Sequence, residues 1–230
     1  MTALGQAEWL ALVLTLRVAL AAVAWTLPLA VGSAWLVTRA RGPMKPLVDA
    51  LVHLPLVLPP VVVGYLLLLA FGARAPIGAW LADTFGIRFV FSWIGAALAA
   101  GIVTFPLQVR AIRLAFEAID PGLEAAADTL GARPLDRFVR VQIPLALPGI
   151  VAGAITAYAA SLGEFGAIIT FASNVPGETR TLPLAIYTAL QQPGGEAAAG
   201  RLAMLSIGLA LAGLVLAEWA AHRVRRLVGR

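Results

Sequence analysis

The sequence predicts an all-α integral membrane protein with five transmembrane helices and a sixth, shorter hydrophobic element. Three observations predict it. Of the 230 residues, 60% are apolar and 13% charged, with a mean hydropathy of +0.89, whereas a soluble domain is nearer half apolar and a quarter charged. Five apolar stretches, near 18–38, 50–71, 91–109, 144–171 and 202–221, are long enough to cross about 30 Å of hydrocarbon as helices. The basic residues cluster between those stretches, as they do where a membrane protein marks its cytoplasmic side.

The same numbers exclude several classes. Intrinsic disorder does not fit so apolar a chain. No cysteine is present, so disulfides, thiol catalysis and Cys-based metal sites are excluded. His53 and His222 are the two histidines and lie far apart, so neither a histidine metal cluster nor a metal or other cofactor is expected. Lys45 is the one lysine and precedes Pro46, so the chain has no G-x-x-x-x-G-K-[ST] phosphate loop and does not bind ATP by that route. The net charge of +5 is carried by arginines between apolar runs, which marks a lipid bilayer as the partner rather than nucleic acid.

Taken in order, the stretch from Glu8 to Arg39 would be about 46 Å long as one helix. Arg17 is therefore expected to divide it into an interfacial 8–16 and a crossing 18–38. No positive segment precedes it, so it does not read as a cleaved leader. The second stretch opens with His53-Leu54-Pro55-Leu56-Val57-Leu58-Pro59-Pro60 and then Gly64. Three prolines remove backbone donors, and irregular backbone survives at membrane depth only where protein or a wet cavity surrounds it. Pro55, Pro59, Pro60 and Gly64 are thus either a path-lining or gating kink or a packed kink. The fourth stretch carries Gly149, Gly153, Ala157 and Ser161 at steps of four, a small-residue stripe that lets another helix approach closely. It serves packing within the chain or a seam between two copies.

That stretch ends in Gly163-Glu164-Phe165-Gly166. Glu164 is an acid in an apolar run, which by default suggests function. Its depth, about 32 Å beyond Ile143 along a helix, favours a structural role at the outer mouth, pairing with an arginine. The flanking glycines predict a break there. The short run Leu182–Leu190 opens on a proline and reads as a surface or re-entrant segment.

Basic residues set the orientation. Twelve of the 17 Lys and Arg fall in the loops after the first, third and fifth stretches and five on the other side, so the first set is expected to be cytoplasmic, the N-terminus outside and the C-terminus inside. The cytoplasmic loop 110–143 reads as folded. Asp120-Pro121 is an N-cap with proline at the first helical position. Ala125, Ala126 and Ala127 lie mid-helix, Asp120 and Glu124 favour its N-terminal dipole, and Gly131 stops it. A second short helix is expected over Pro134–Gln142. An exposed blunt helix suits a partner's groove; bundling against the span ends is the alternative.

Ala125-Ala126-Ala127-x-x-x-Gly131, then nine residues, then Val141-Gln142-Ile143-Pro144, resembles the "EAA" loop of ABC-importer permeases, although the acidic slot holds Ala125 and Glu124 stands one place earlier. Residues 53–65, Thr104–Arg113, Leu162–Gly166 and Asn174-Val175-Pro176-Gly177-Glu178-Thr179-Arg180-Thr181-Leu182-Pro183 are similar to the membrane subunits of molybdate importers over nearly the whole chain. The resemblance implies a single permease domain of the type I importer kind, over residues 1–230, without catalytic residues of its own, in the inner membrane. It implies two copies forming a homodimer, two ABC ATPase subunits and a molybdate-binding protein. It makes Glu124, Ala125, Ala126, Ala127, Asp128, Gly131, Arg133, Phe138 and Pro144 the ATPase-coupling loop. Pro55, Pro59, Pro60, Gly64, Gly163, Glu164, Phe165 and Gly166 become candidates for the path or gate, and Glu178, Thr179 and Arg180 for contact with the binding protein. Tungstate and sulfate remain alternative cargoes. An ion-coupled transporter would place ionisable residues at mid-membrane, where this sequence has almost none.

Overall fold

A computed structural model describes residues 5–40, 42 and 44–228; beyond Gly213, side chains are described only at Val215, Leu216, Trp219 and Arg223. The basic cluster expected at Arg225, Arg226 and Arg230 and the side chain of His222 lie outside this description. Among the described residues all regular structure is helical.

Helix α1, Gln6–Arg39, runs 34 residues without a break at Arg17. Nothing at Arg17 removes a backbone donor, and its guanidinium sits 3.7 Å from the centre of the Trp93 ring. Buried Ala11, Leu14, Val18, Ala22, Ala30, Ala34 and Val37 form one stripe, while Leu20, Leu29 and Leu36 stay exposed on the far side. Helix α5, Trp93–Glu117, lies along that stripe. Its Ala96, Ala97, Ala99, Ala100 and Gly101 are buried, and small residues on both faces let the backbones close up. A Cβ on Gly101 would lie 2.7 Å from the Trp25 ring, whose Nε1 donates to the Ala97 carbonyl at 3.3 Å.

Helix α5 runs on past Arg110 into the segment 110–143. It continues to Glu117 because its charges are paired: Arg113 reaches Asp49 at 2.6 Å and Glu117 at 2.8 Å. Asp49 lies on α2, Met44–Val57. The second apolar stretch is not one straight span. α2 holds Pro55, ends before Pro59, and hands over to α3, Pro60–Phe71, at 108°. The physical reason is the Pro59-Pro60 pair, which lacks two consecutive donors and bars helical geometry in the residue before each. A short helix that hydropathy did not predict, α4, Pro76–Phe85, follows.

Three short pieces then precede the next long helix: α6, Pro121–Thr129; α7, Pro134–Arg137; and one π-turn over Phe138–Gln142. The turn runs straight into α8, Ile143–Leu162. The separate helix expected over Pro134–Gln142 is therefore the bent start of α8. Pro144 and Pro148 leave carbonyls unmatched in its first turns, and Ile143 reaches back to the Phe138 carbonyl, the wide bond of a π-turn. Gly149, Gly153 and Ala157 seat α8 on α5: a Cβ at Gly153 would lie 3.1 Å from the Gln108 carbonyl. The small-residue stripe thus serves packing within the chain. The helix ends at Gly163; α9, Gly166–Phe171, packs against α3. Helix α10, Leu182–Leu190, is nine residues, too short to cross a bilayer at 1.5 Å per residue. Helix α11, Glu196–Val228, packs on α10 and α8.

By length and hydropathy α1, α5, the α7–α8 unit and Glu196–Gly213 of α11 can each cross a membrane, and the bent α2–α3 pair makes a fifth. Leu20, Val57, Leu69, Leu114, Met204, Leu211 and Val215 are more than half exposed, an exterior suited to lipid.

Candidate functional site

The site has three parts. The first is α6. Asp120 Oδ1 accepts from the Gly122 N–H at 2.8 Å, satisfying one free donor of the first turn. At the other end Gly131 takes φ +78° and Ala132 N–H returns to the Ala127 carbonyl at 3.0 Å, a glycine-closed end. No residue of α6 is buried. Leu123 (48% exposed), Leu130 (88%) and Leu135 (73%) stand out around it. Ala125 and Ala126 are exposed and Ala127 half-buried.

Two acids tie this helix to the rest. Glu124 Oε2 accepts from Arg39 Nη2 at 2.8 Å, and Oε1 from Gln142 Nε2 at 2.7 Å. Gln142 Oε1 accepts from Trp35 Nε1 at 2.9 Å. Asp128 pairs with Arg137. Phe138 meets Trp35 edge-on at 5.3 Å and Phe116 at 6.2 Å, Arg133 supplies the exposed N-cap of α7, and Pro144 opens α8. Arg39, Trp35 and Gln142 are absent from the residues that sequence reading singled out. A lone amide in the run Val141-Gln142-Ile143 was the one signal for Gln142.

The second part is the crossing of α3 and α9. A Cβ at Gly64 would lie 2.8 Å from both the Ala167 carbonyl oxygen and Thr170 Cβ, and one at Gly166 would lie 2.9 Å from Pro60 Cβ. Pro59, Pro60, Gly64 and Gly166 thus meet at one junction, while Pro55 stays inside α2 and Gly163 is exposed. Glu164 is 8% exposed. Its carboxylate accepts from the Ala167 N–H at 2.8 Å and, among the described residues, pairs with no arginine; that expected pairing is corrected. The α8–α9 break leaves amide donors with no helical partner, and the carboxylate takes one of them. Phe165 packs against Tyr187 of α10 with ring centres 5.2 Å apart and the rings inclined at 56°. Below the break, Ser161 Oγ lies 3.3 Å from Thr104 Oγ1.

The third part lies at the opposite end of α1 from Arg39. Here Arg201 reaches Glu8 at 3.1 Å, and Arg180 donates through Nε to Asn174 Oδ1 at 2.8 Å. Both arginines line a cavity of about 600 Å³ with Glu8, Thr188 and Gln192. Glu178 is exposed. Thr179 is buried, its hydroxyl accepting from Val175 N–H at 2.8 Å and donating to the Ser173 carbonyl at 3.1 Å, so it braces the loop rather than facing outward. Arg39 and Arg137 thus bond to α6, while Arg180 and Arg201 line this cavity.

The family described as "Binding-protein-dependent transport system inner membrane component" matches residues 26–227. The chain belongs to this family. Among its relatives, the permease is 55% identical over 223 residues to the molybdenum transport system permease protein ModB of Escherichia coli (strain K12), covering 97% of each chain. It is 50% identical over 217 residues to ModB of Haemophilus influenzae, covering 94% of this permease and 95% of that chain. Among solved structures it resembles the inward-facing MetNI methionine ABC transporter, with a TM-score of 0.72 and 18% identity, over 99% of the permease and 100% of that chain. That likeness shows the fold.

Proposed function

We propose that this permease is the membrane subunit of an ATP-driven importer of molybdate. The observation that carries the reading is the 55% identity, spanning 97% of both chains, to a molybdenum permease, together with a capped helix that buries none of its residues. Two copies form one path, two ABC ATPase subunits dock on α6, and a molybdate-binding protein delivers the anion to the opposite end. The end bearing α6 is cytoplasmic, which places the N-terminus outside and the C-terminus inside. The single domain spans residues 1–230.

Energy comes from the partner, because no phosphate loop exists in this chain. Closure of the ATPase pair pushes α6, and the spans tilt to open the path to the other side. Ala125–Ala127 and Gly131 present the docking surface, Asp128, Arg133, Phe138 and Pro144 hold its shape, and Glu178 and Arg180 meet the binding protein over a loop that Thr179 braces. At the α3–α9 junction, Gly64 and Gly166 let two broken segments touch. The sequence has almost no basic residue at mid-membrane, so selectivity rests largely with the binding protein.

The test is reconstitution in proteoliposomes with the ATPase and the binding protein. Molybdate uptake is expected only with all three proteins and ATP, with sulfate a weak competitor. Uptake driven by an ion gradient without the ATPase would overturn the reading, and equal uptake of sulfate would overturn the cargo.

A further inference from the structure

Resting on the coupling role proposed above, we infer that Glu124 is a transmission residue: it hangs the coupling helix on the ends of α1 and α8 and carries the displacement of α6 into both. The argument begins with what α6 lacks. None of its residues is buried, so no packed face joins it to the spans. Its side-chain ties are polar and few. Asp128 reaches only the neighbouring α7, through Arg137. Among the described residues, Glu124 alone in α6 reaches two long helices at once, with one carboxylate oxygen on Arg39 at 2.8 Å and the other on Gln142 at 2.7 Å.

Gln142 makes that tie stiff. It is 2% exposed, and its amide oxygen takes the Trp35 indole N–H at 2.9 Å. A buried amide held from both sides has one satisfied arrangement, and leaving a partner unmatched costs more than the bond itself contributes. Glu124, Gln142, Trp35 and Arg39 therefore move together or break together. Gln142 also ends the π-turn, where the backbone holds one residue more than an α-helix needs. Such turns are places where a helix changes register. A push on α6 thus reaches α1 through an ion pair and α8 through a turn able to yield. The same geometry turns the Glu124 carboxylate inward, so the motor meets the neutral surface of Ala125, Ala126 and Leu130.

The test uses the full complex of permease, ATPase and binding protein in proteoliposomes, and reads ATP hydrolysed per molybdate imported for each assembled complex. A merely structural role would lower the amount of complex without moving that ratio. Arg39→Ala is expected to raise the ratio about tenfold, Arg39→Lys to restore most of the coupling, and Arg39→Ala/Glu124→Ala to be no worse than either single variant. An unchanged ratio in Arg39→Ala, or single effects that multiply in the double variant, would overturn the inference. So would release of the ATPase by Glu124→Ala but not by Arg39→Ala, because that pattern makes Glu124 a docking contact. Wild-type permease that brings down no ATPase would overturn the coupling role itself, an outcome distinct from all of these.

Discussion

Gly64 faces Ala167 so closely that a methyl carbon at Gly64 would lie 2.8 Å from the Ala167 carbonyl oxygen. A neighbouring backbone atom cannot swing away as a flexible side chain does. Gly64→Ala is therefore expected to separate α3 from α9 and to destabilise the protein by about 1–3 kcal/mol. Thermal unfolding in detergent, compared with Ala70→Gly on the same helix, checks this. A Gly64→Ala variant as stable and as active as wild type would show that the two helices do not need this closeness.

Gln108 is fully buried, donates to Thr26 Oγ1 at 2.7 Å, and among the described residues leaves its own Oε1 without a partner. The asymmetry of buried polar groups then predicts opposite outcomes for two variants. Thr26→Val strands the Gln108 amide and is expected to cost about 1–3 kcal/mol. Gln108→Leu removes an already unmatched oxygen, while Thr26 keeps its bond to the Ala22 carbonyl at 2.7 Å, and is expected to be nearly neutral. Equilibrium unfolding in mixed micelles orders the two, and the reverse order would refute the argument.

Gly131 holds φ +78° with open space around it, so backbone strain, not crowding, decides what it tolerates. Asn accepts such an angle readily and Val does not. Gly131→Val is expected to fray the end of α6 at a cost of about 1–2 kcal/mol and to weaken copurification of the ATPase. Gly131→Asn keeps it. Equal copurification by both variants would contradict a docking role for this helix end.

Glu178 is exposed and Thr179 buried in the same loop. Glu178→Arg is expected to leave stability within about 0.5 kcal/mol while abolishing stimulation of ATP hydrolysis by the binding protein. Thr179→Val leaves the Val175 N–H unmatched and is expected to lower the unfolding temperature. Stimulation unaffected by Glu178→Arg would move the docking surface elsewhere.

What the sequence made legible was local. Asp120 and Gly131 bracket α6 because caps act within one turn, and the bounds of α10 follow from a proline and a polar run. The apolar stretches located the long helices for a similar reason: twenty apolar residues have few other fates. What stayed hidden depends on partners far along the chain. Arg110 and Arg113 looked like the end of α5, because a charge in an apolar run reads as an edge until its partners, Asp49 and Glu117, are known. The proline pair told where α2 stops but not the 108° it turns through, which packing against α9 sets. Glu124 reads from the sequence as part of the coupling loop, and its ties to Arg39, 85 positions earlier, and to Gln142 become visible only in the fold.

The π-turn at Phe138–Gln142 makes the chain's length there part of its wiring. A regular helix advances the azimuth by about 100° per residue, whereas a π-turn takes up its extra residue in one widened loop, so the helix on either side keeps nearly the same bearing. A gene shortened by a single codon between Phe138 and Gln142 would therefore encode a regular helix of nearly unchanged heading that has lost the one loose link in its ladder.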